Sequence, residues 1–510
     1  MAFVGKILKR TIKLPKTIER VKRKISPAKM QEKTLLKLLS KARYTAFGTY
    51  YGFGKLIDAD KNPVFDFRTK IPVFDYSKIY AEWWIKTLEG HEDICWPGKI
   101  NYFALSSGTS DSASKRIPIT ADLLKANKRT GVKQILSLSN YDIPDNFFEK
   151  GILMLGGSTD LVEKEHYFEG DLSGISQANL PPWFFPFYKP GKEIATEKDW
   201  NVKIDKVVEN APKWDIGAIV GVPAWLQITL ERIIEKHKLE SIHDIWPNLA
   251  VYTHGGVSFA PYKLRFEKLL AKPLIYLETY LASEGFFAYQ NRPGAKGMKL
   301  VLNNGIFYEF VPFNNQNFTE DGQVKPDAKA LWIDEVKENE EYALLISTCA
   351  GAWRYLIGDT IRFTSLEHCE IAITGRTKFF LSLCGEHLSV DNMNAAMRAI
   401  SDRNNIAISE FSVAGISENN RFAHKWYVGA DEPFDTEWFA GELDKELCQL
   451  NDDYQVERKH ALHNIYVQYV PSSAFYAYME KNGKIGSQNK FPRVLKGDRL
   501  RDWENFLNSL

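Results

Sequence analysis

Asn101-Tyr-Phe-Ala-Leu-Ser106-Ser-Gly-Thr-Ser-Asp-Ser-Ala-Ser-Lys115 is the stretch on which the reading of the fold turns. Its first five residues are a short apolar run of the kind that forms a buried strand. The run passes directly into a loop of hydroxyls and ends on a lysine. Phosphate oxygens need several hydrogen-bond donors on a backbone that approaches closely. Ser106, Ser107, Thr109 and Ser110 supply hydroxyls, Gly108 permits the turn, and Lys115 supplies positive charge. The order is not that of a G-x-x-x-x-G-K-[ST] P-loop, which argues against a Walker-type ATPase. Taken alone, a serine-rich loop is more often an ordinary turn.

Outward from this stretch, strands and helices alternate. Ile117–Thr120 reads as extended, and Thr120 caps a helix to about Ser137. Upstream, Ser26-Pro27 is a cap followed by proline at the first helical position, with Met30, Leu35, Leu36, Leu38 and Leu39 as an apolar stripe. Downstream, a strand is expected at Gly151–Leu155 and a helix over 216–237, interrupted near Gly221-Val-Pro223. Leu249–Thr253 reads as a strand ending at Thr253-His-Gly-Gly256, and Ile275–Tyr280 as one ending at Tyr280-Leu-Ala-Ser-Glu284. Lys299–Phe313 alternates around Asn304-Gly305, a hairpin signal. Further strands are expected at Glu341–Thr348, Thr360–Thr364 and Glu370–Thr374. After Gly375-Arg376, Ser389 caps a helix with Met393, Ala396, Met397 and Ile400 on one face. Strands near 409–416 and 424–429 and a helix near 436–450 complete a small α+β unit.

Two acidic residues stand at places suited to nucleotide chemistry. Glu284 follows an apolar strand, where a lone carboxylate suits a magnesium ion shared with phosphates and water. Asp359 ends Trp353-Arg-Tyr-Leu-Ile-Gly-Asp359, and an acidic side chain on a fixed turn accepts both ribose hydroxyls. A surface glutamate and a tight-turn aspartate are the ordinary alternatives. His254 is a lone histidine of the structural kind, and Trp225, Leu226 and Leu230 read as core. The aromatic run Trp183–Tyr188 is a pocket candidate. No H-E-x-x-H or G-x-S-x-G pattern occurs.

The bulk properties set the frame. A chain of 510 residues exceeds a single core, so two or more domains are expected. The five cysteines form no C-x-x-C pair, which favours a reducing cytoplasm over a disulfide framework or zinc site. No apolar run is long enough for a membrane span, and charge interrupts the N-terminus too early for a signal peptide. Lys6 to Arg43 carries 14 Lys/Arg against Glu19 and Glu32, a local excess of 12 (14 − 2). Such a basic arm, residues 1–25, reads as a solvated extension, with weak contact to an anionic membrane surface as the lesser alternative. No nucleic-acid partner is expected.

In this order, Ser-Ser-Gly-Thr-Ser, Gly-Gly, Tyr-x-x-x-Glu, Arg-Tyr-x-x-Gly-Asp and Gly-Arg resemble the adenylate-forming superfamily of acyl-CoA ligases and amino-acid adenylation domains. More narrowly, Ser106–Pro118, Tyr308-Glu-Phe-Val-Pro312, Arg354–Asp359 and Gln488-Asn-Lys-Phe-Pro-Arg493 resemble the plant auxin-responsive acyl-acid amido synthetases and their bacterial relatives. So does Leu35–Phe53, with Thr45-Ala-Phe-Gly48 and Tyr51-Gly-Phe53. The resemblance implies an α/β two-lobe fold. Its large N-terminal lobe, residues 26–375, would hold mixed sheets with helices and a β-barrel-like part. A small, mobile α+β C-terminal lobe would span 376–510.

It also implies chemistry. A carboxylic acid reacts with ATP and Mg2+ to give an acyl-adenylate and pyrophosphate, and an amino acid's amine then takes the acyl group. Ser106, Ser107, Gly108, Thr109, Ser110 and Lys115 would hold phosphates. Gly255 and Gly256 would line the adenine and acyl side. Tyr280 and Ser283 would lie near the base, Asp359 would hold the ribose, and Glu284 would bind magnesium. Lys490, His387 and Arg376 are the candidate catalytic residues, with Arg376 at the hinge. The departures from the family pattern are Ser112 in place of a glycine, Trp353 in place of a tyrosine, no acidic hinge residue after Arg376, and His387 where plant relatives carry a lysine. A ligase with a thiol acceptor, CoA or a carrier protein, shares the first half-reaction. A non-catalytic nucleotide-binding scaffold is the alternative that the departures suggest.

Overall fold

The computed structural model describes residues 25–510, apart from 59–61, 107–114, 145, 257–258, 260–261, 320–321, 378–380, 382, 384–385, 387, 419–420, 452–453, 456, 459–461 and 484–489. The expectations for the basic arm before Ile25, for Ser107, Gly108, Thr109, Ser110 and Ser112, and for His387 fall outside the described residues.

The large lobe is built on one sheet of eleven strands. In spatial order they are Ile306–Pro312, Glu341–Thr348, Tyr355–Ser365, Glu370–Arg376, Met298–Leu300, Gly285–Tyr289, Ile275–Ala282, Val251–Gly255, Ile216–Val220, Gly151–Met154 and Tyr188–Lys189. Neighbours are antiparallel as far as Ile275–Ala282 and parallel beyond it. The parallel strands are apolar runs because both faces are covered. Ile219 joins a core with Trp225, Leu226 and Leu230, whereas Ala218 joins one with Leu138 and Phe147. A second sheet orders Lys115–Ile119, Tyr102–Ser106, Phe168–Gly170 and Val162–Glu163.

Three expectations need correction. The antiparallel strands do not make a barrel-like part: they run on into an open sheet among the described residues. Residues 216–220 are a strand, with the helix confined to Pro223–His237. Apolar β-branched runs carry no period that separates the two before proline resets the backbone. Asn304-Gly305 is a turn, with Gly305 at φ 77°, but its flanking strands do not pair with each other. Met298–Leu300 lies between Gly285–Tyr289 and Glu370–Arg376, and Ile306–Pro312 pairs with Glu341–Thr348.

The N-terminal motifs are structural. Ser26 caps the helix Pro27–Lys41. From that helix Gln31 donates to the carbonyls of Leu302 (2.7 Å) and Ile306 (3.0 Å) and accepts from Tyr308 N (2.8 Å). This buried amide docks the helix on the edge strand. Thr45 caps the short helix Ala46–Tyr50 through Gly48 N (3.0 Å). A Cβ at Gly48 would run into the carbonyl of Ala42. Phe47 then packs beside Trp353, which is fully buried among Phe53, Phe67 and Trp96 and donates to Cys95 O (3.1 Å). The tryptophan that departs from the family pattern is thus the centre of an aromatic core.

The smaller lobe carries the sheet Leu462–Pro471, Arg421–Ala430, Ile408–Glu418 and Val494–Leu495. Alternate residues face opposite ways along each strand. Val413, Trp426 and Val428 pack under the helices Val390–Asn404 and Thr436–Leu450, with Met393, Ala396, Met397 and Ile400 in the same core. Ala414 and Tyr427 pack under Ser472–Lys481 and Asp498–Leu507. Among the described residues no helix is long and apolar enough to cross a membrane.

One ionic pair is sealed inside the large lobe. Arg354 meets Glu309 at 2.9 and 2.8 Å, a bidentate pair, and also donates to the carbonyls of Arg68 and Ile71 at 2.6 Å each. Arg354 holds φ at +42°, a conformation that a side chain rarely adopts. The pair joins the Tyr308–Pro312 motif to the Arg354–Asp359 motif. Without Arg354 the buried Glu309 carboxylate keeps only the Arg68 guanidinium, 3.7 Å away. Arg354→Met should lower the unfolding free energy by about 1.5–3 kcal/mol, the scale of lost charge-assisted hydrogen bonds. Chemical denaturation measures this, and a loss below about 1 kcal/mol, the scale of an exposed pair, would contradict it.

Candidate active site

The site forms where three parts of the large lobe meet. The first is the two-residue turn Ser283-Glu284 between Ile275–Ala282 and Gly285–Tyr289. Both turn residues are buried. The second is the strand pair Tyr355–Ser365 and Glu370–Arg376, whose register sets Asp359 opposite Arg376. Gly358, at φ 91°, breaks the pleat just before Asp359, and its carbonyl accepts from Thr377 N at 2.8 Å. The third is the Gly255–Gly256 turn at the end of Val251–Gly255.

Asp359 is the hub. One carboxylate oxygen accepts from the Tyr280 hydroxyl at 2.5 Å, and the other pairs with Arg376 Nε at 3.0 Å. Burial and this carboxylate push the Tyr280 hydroxyl well above its usual range, so it stays a donor. Arg376 also donates to Ile357 O at 3.3 Å, which fixes its plane. The Asp359, Tyr280 and Glu284 charges outweigh the cost of burying the guanidinium and raise its pKa.

Glu284 lies beside this hub. Burial raises its pKa to about 6, and the Asp359 charge adds to the shift, while Lys115 and Arg376 oppose it. Lys115 stands at the end of the serine-rich loop, and the register Ser106↔Lys115 pins the two ends of that loop side by side. Its ammonium also sits 5.2 Å from the Tyr76 ring centre.

Lys490 enters from the smaller lobe. Its ammonium donates to the carbonyl of Gly256. Loss of water lowers its pKa to about 8, with Arg376 adding to the effect and Asp359 opposing it. The residue still exposes part of its stem, so solvent softens the shift. Gly255 and Gly256 are explained by close approach. A Cβ at Gly255 would fall 2.5 Å from Thr279 O, and Gly256 holds φ at 83° with Lys490 Nζ 3.4 Å from where a Cβ would stand.

The geometry therefore gathers Tyr280, Ser283, Glu284, Asp359, Arg376, Lys115, Gly255, Gly256 and Lys490, with Ser106 at the loop base. Tyr355 was missed from sequence. Its phenol is fully buried, has no hydrogen-bond partner among the described residues, and lies within electrostatic reach of Glu284, Arg376, Tyr76 and Asp359. The only signal for it was its place in Arg-Tyr-x-x-Gly-Asp. His254 is buried, lies 4.8 Å from the Phe259 ring in a tilted contact, and burial lowers its pKa to about 4. The Trp183–Tyr188 run divides: Trp183 is 47% exposed, whereas Phe187 and Tyr188 are buried at the sheet edge.

The sign of the Glu284 shift gives a test. A carboxyl with a raised folded pKa contributes stability below its unfolded pKa and loses it as pH rises through the folded value. Glu284→Gln should therefore gain stability relative to wild type between pH 4.5 and 7.5, by about 2 kcal/mol for a shift of roughly 1.5 units. Denaturation in magnesium-free buffer at both pH values measures it. A difference that does not change with pH would contradict it.

Three family models cover the chain. The GH3 family N-terminal domain matches residues 16–164 and 158–274, more than half of it. The GH3 family central domain matches 299–376, and the C-terminal domain matches 391–498. Indole-3-acetic acid-amido synthetase GH3.4 of Arabidopsis thaliana is 22% identical over 417 residues, 70% of this chain and 68% of that protein. The probable indole-3-acetic acid-amido synthetase GH3.11 of Oryza sativa subsp. japonica is 22% identical over 277 residues, 49% of this chain and 46% of that protein. Among solved structures, GH3.15 acyl acid amido synthetase superposes with a TM-score of 0.72 at 15% identity, covering 93% of each chain. 2-Hydroxyisobutyryl-CoA ligase, in the postadenylation state with R3-HIB-AMP, superposes with a TM-score of 0.57 at 12% identity, covering 94% of this chain and 92% of that one. The fold is that of the adenylate-forming ligases, and the chain belongs to the GH3 family.

Proposed function

We propose that the chain is an ATP-dependent acyl-acid amido synthetase that adenylates a small carboxylic acid and passes the acyl group to the amine of an amino acid. The observation that carries this reading is the convergence of Asp359, Arg376, Glu284 and Lys115 with Lys490 of the smaller lobe. Family membership supplies the reaction class, and the site supplies parts suited to it.

Acyl transfer from a free carboxylate to an amine fails because hydroxide is a poor leaving group. In the first half-reaction a carboxylate oxygen bonds to the α-phosphorus of ATP, and the bond to pyrophosphate breaks. In the second, the amine nitrogen bonds to the acyl carbon, AMP departs, and the amine gives up a proton. Both carboxylate oxygens of Asp359 keep lone pairs beyond those used by Tyr280 and Arg376, so Asp359 has acceptors for two ribose hydroxyls. Ser106, Ser107, Gly108, Thr109, Ser110 and Lys115 hold the phosphates. Gly255 and Gly256 keep the adenine and acyl side open, and Tyr280 and Ser283 flank the base. Lys490 and Arg376 bring positive charge to the phosphorus as negative charge concentrates there. His387 stays a candidate beside Lys490 on the same lobe.

The residues fit a magnesium ion. Glu284 is a buried carboxylate, and the Tyr355 hydroxyl, without a hydrogen-bond partner among the described residues, lies within its electrostatic reach. Glu284 would hold Mg2+, which supplies neutralisation of the phosphate charge when bound. We assign a large lobe over 26–375 and a small lobe over 376–510, hinged at Arg376. A cytoplasmic setting belongs to the same proposal, on the cysteine spacing read from the sequence.

Two measurements test this reading. AMP release with a panel of acids should require an amino acid and should not respond to CoA, with the amide detected by mass spectrometry. CoA-dependent release would make it a thiol ligase. Asp359→Ala removes charge-assisted hydrogen bonds worth roughly 1.5–3 kcal/mol. ATP use should weaken about 10- to 150-fold, at about 1.4 kcal/mol per decade. An unchanged apparent ATP affinity would refute the ribose role.

A further inference from the structure

Lys490 has a long, flexible stem, and ordering such a side chain is costly. Its reach to Gly256 must therefore be set by the backbone that carries it. That backbone is stitched into the small sheet. Val413 N donates to Arg493 O at 2.9 Å, Ser412 Oγ donates to Pro492 O at 2.7 Å, and Val494–Leu495 pairs with Val413–Ala414. None of these bonds ties the small lobe to the large one.

Glu410 does. One carboxylate oxygen accepts from the Tyr262 hydroxyl of the large lobe at 3.1 Å. The other accepts from Arg493, three residues beyond Lys490, and from Phe411 N at 3.1 Å. Arg493 also donates to Phe411 O at 2.9 Å, lies 4.2 Å above the Phe411 ring, and touches Tyr262. All three side chains are almost wholly buried. Tyr262 follows Gly256 closely in the chain, so the stretch that presents the Gly256 carbonyl also carries the socket for Glu410. Nearby, Arg265 bridges Glu231 (2.8 Å) and Asp431 (2.6 Å), but that pair is more exposed.

We infer that Glu410 is a positioning residue for adenylation: by joining Tyr262 to Arg493 it holds the smaller lobe in the one register that delivers Lys490 to Gly256. A buried, directional hydrogen-bonded junction specifies a single docking geometry in a way that apolar contact does not. Glu410 touches no reacting atom. Its effect falls on the half-reaction that uses Lys490, and the inference rests on the adenylation reading above.

The test separates the half-reactions in the full chain. Tyr262→Phe removes one hydroxyl and keeps the ring. Glu410→Gln keeps the shape and removes the charge. With the acid that wild type uses best, the rate of pyrophosphate exchange into ATP should fall about 10-fold or more in each, the scale of one charge-assisted hydrogen bond. Amide formation from the chemically prepared adenylate of that acid should stay within about two-fold of wild type. Equal loss in both half-reactions, as general destabilisation would give, overturns the inference, and so does unchanged exchange. If Glu410→Gln does not fold, Tyr262→Phe decides the matter alone. Wild-type exchange matched by both variants defeats the inference only, whereas no exchange in wild type with any acid defeats the adenylation reading beneath it.

Discussion

Asp359 and Arg376 face each other across two antiparallel strands, and the site depends on that pairing. The register of Tyr355–Ser365 on Glu370–Arg376 brings the two charges together without any loop. The Asp359 carboxylate is half-buried, and Tyr280 and Arg376 supply one partner to each oxygen. Arg376 is the last residue of the strand Glu370–Arg376, so the residue that neutralises Asp359 stands where the chain leaves the large sheet. Glu284, its pKa raised by burial and further by the Asp359 charge, completes the site.

Two further ionic junctions are buried in the molecule. Glu309–Arg354 joins the strand Ile306–Pro312 to the turn into Tyr355–Ser365, the strand that bears Asp359. Tyr262–Glu410–Arg493 joins the two lobes. Each is buried and each is satisfied by several hydrogen bonds, which is the condition under which buried charge specifies geometry rather than merely costing stability.

Much of the fold was legible in the sequence where the signal is local. Thr120, Ser26 and Ser389 were read as caps, and each accepts from the backbone three residues on. Glu341–Thr348 was placed to the residue because its flanks are polar and its interior is apolar. What escaped is what long-range pairing decides. Nothing near Asn304-Gly305 says that its two strands take different partners, and Ile216–Val220 has no period to distinguish a buried strand from a helix. The same holds for the site. Asp359, Tyr280, Glu284 and Lys490 were found by family motif. Glu410 and Tyr262 were not, because their meaning lies in each other and 148 residues separate them. Trp353, a departure from the family pattern, proved to be an aromatic core residue with its own hydrogen bond.

The central claim is that this site makes an acyl-adenylate. The most direct measurement is exchange of labelled pyrophosphate into ATP, with a carboxylic acid present and no amine. The account predicts exchange that depends on the acid, proceeds without any amino acid, and needs Mg2+. Exchange that ignores the acid, or ATP binding with no exchange across aryl, indolyl and fatty acids, would contradict it and leave a nucleotide-binding scaffold.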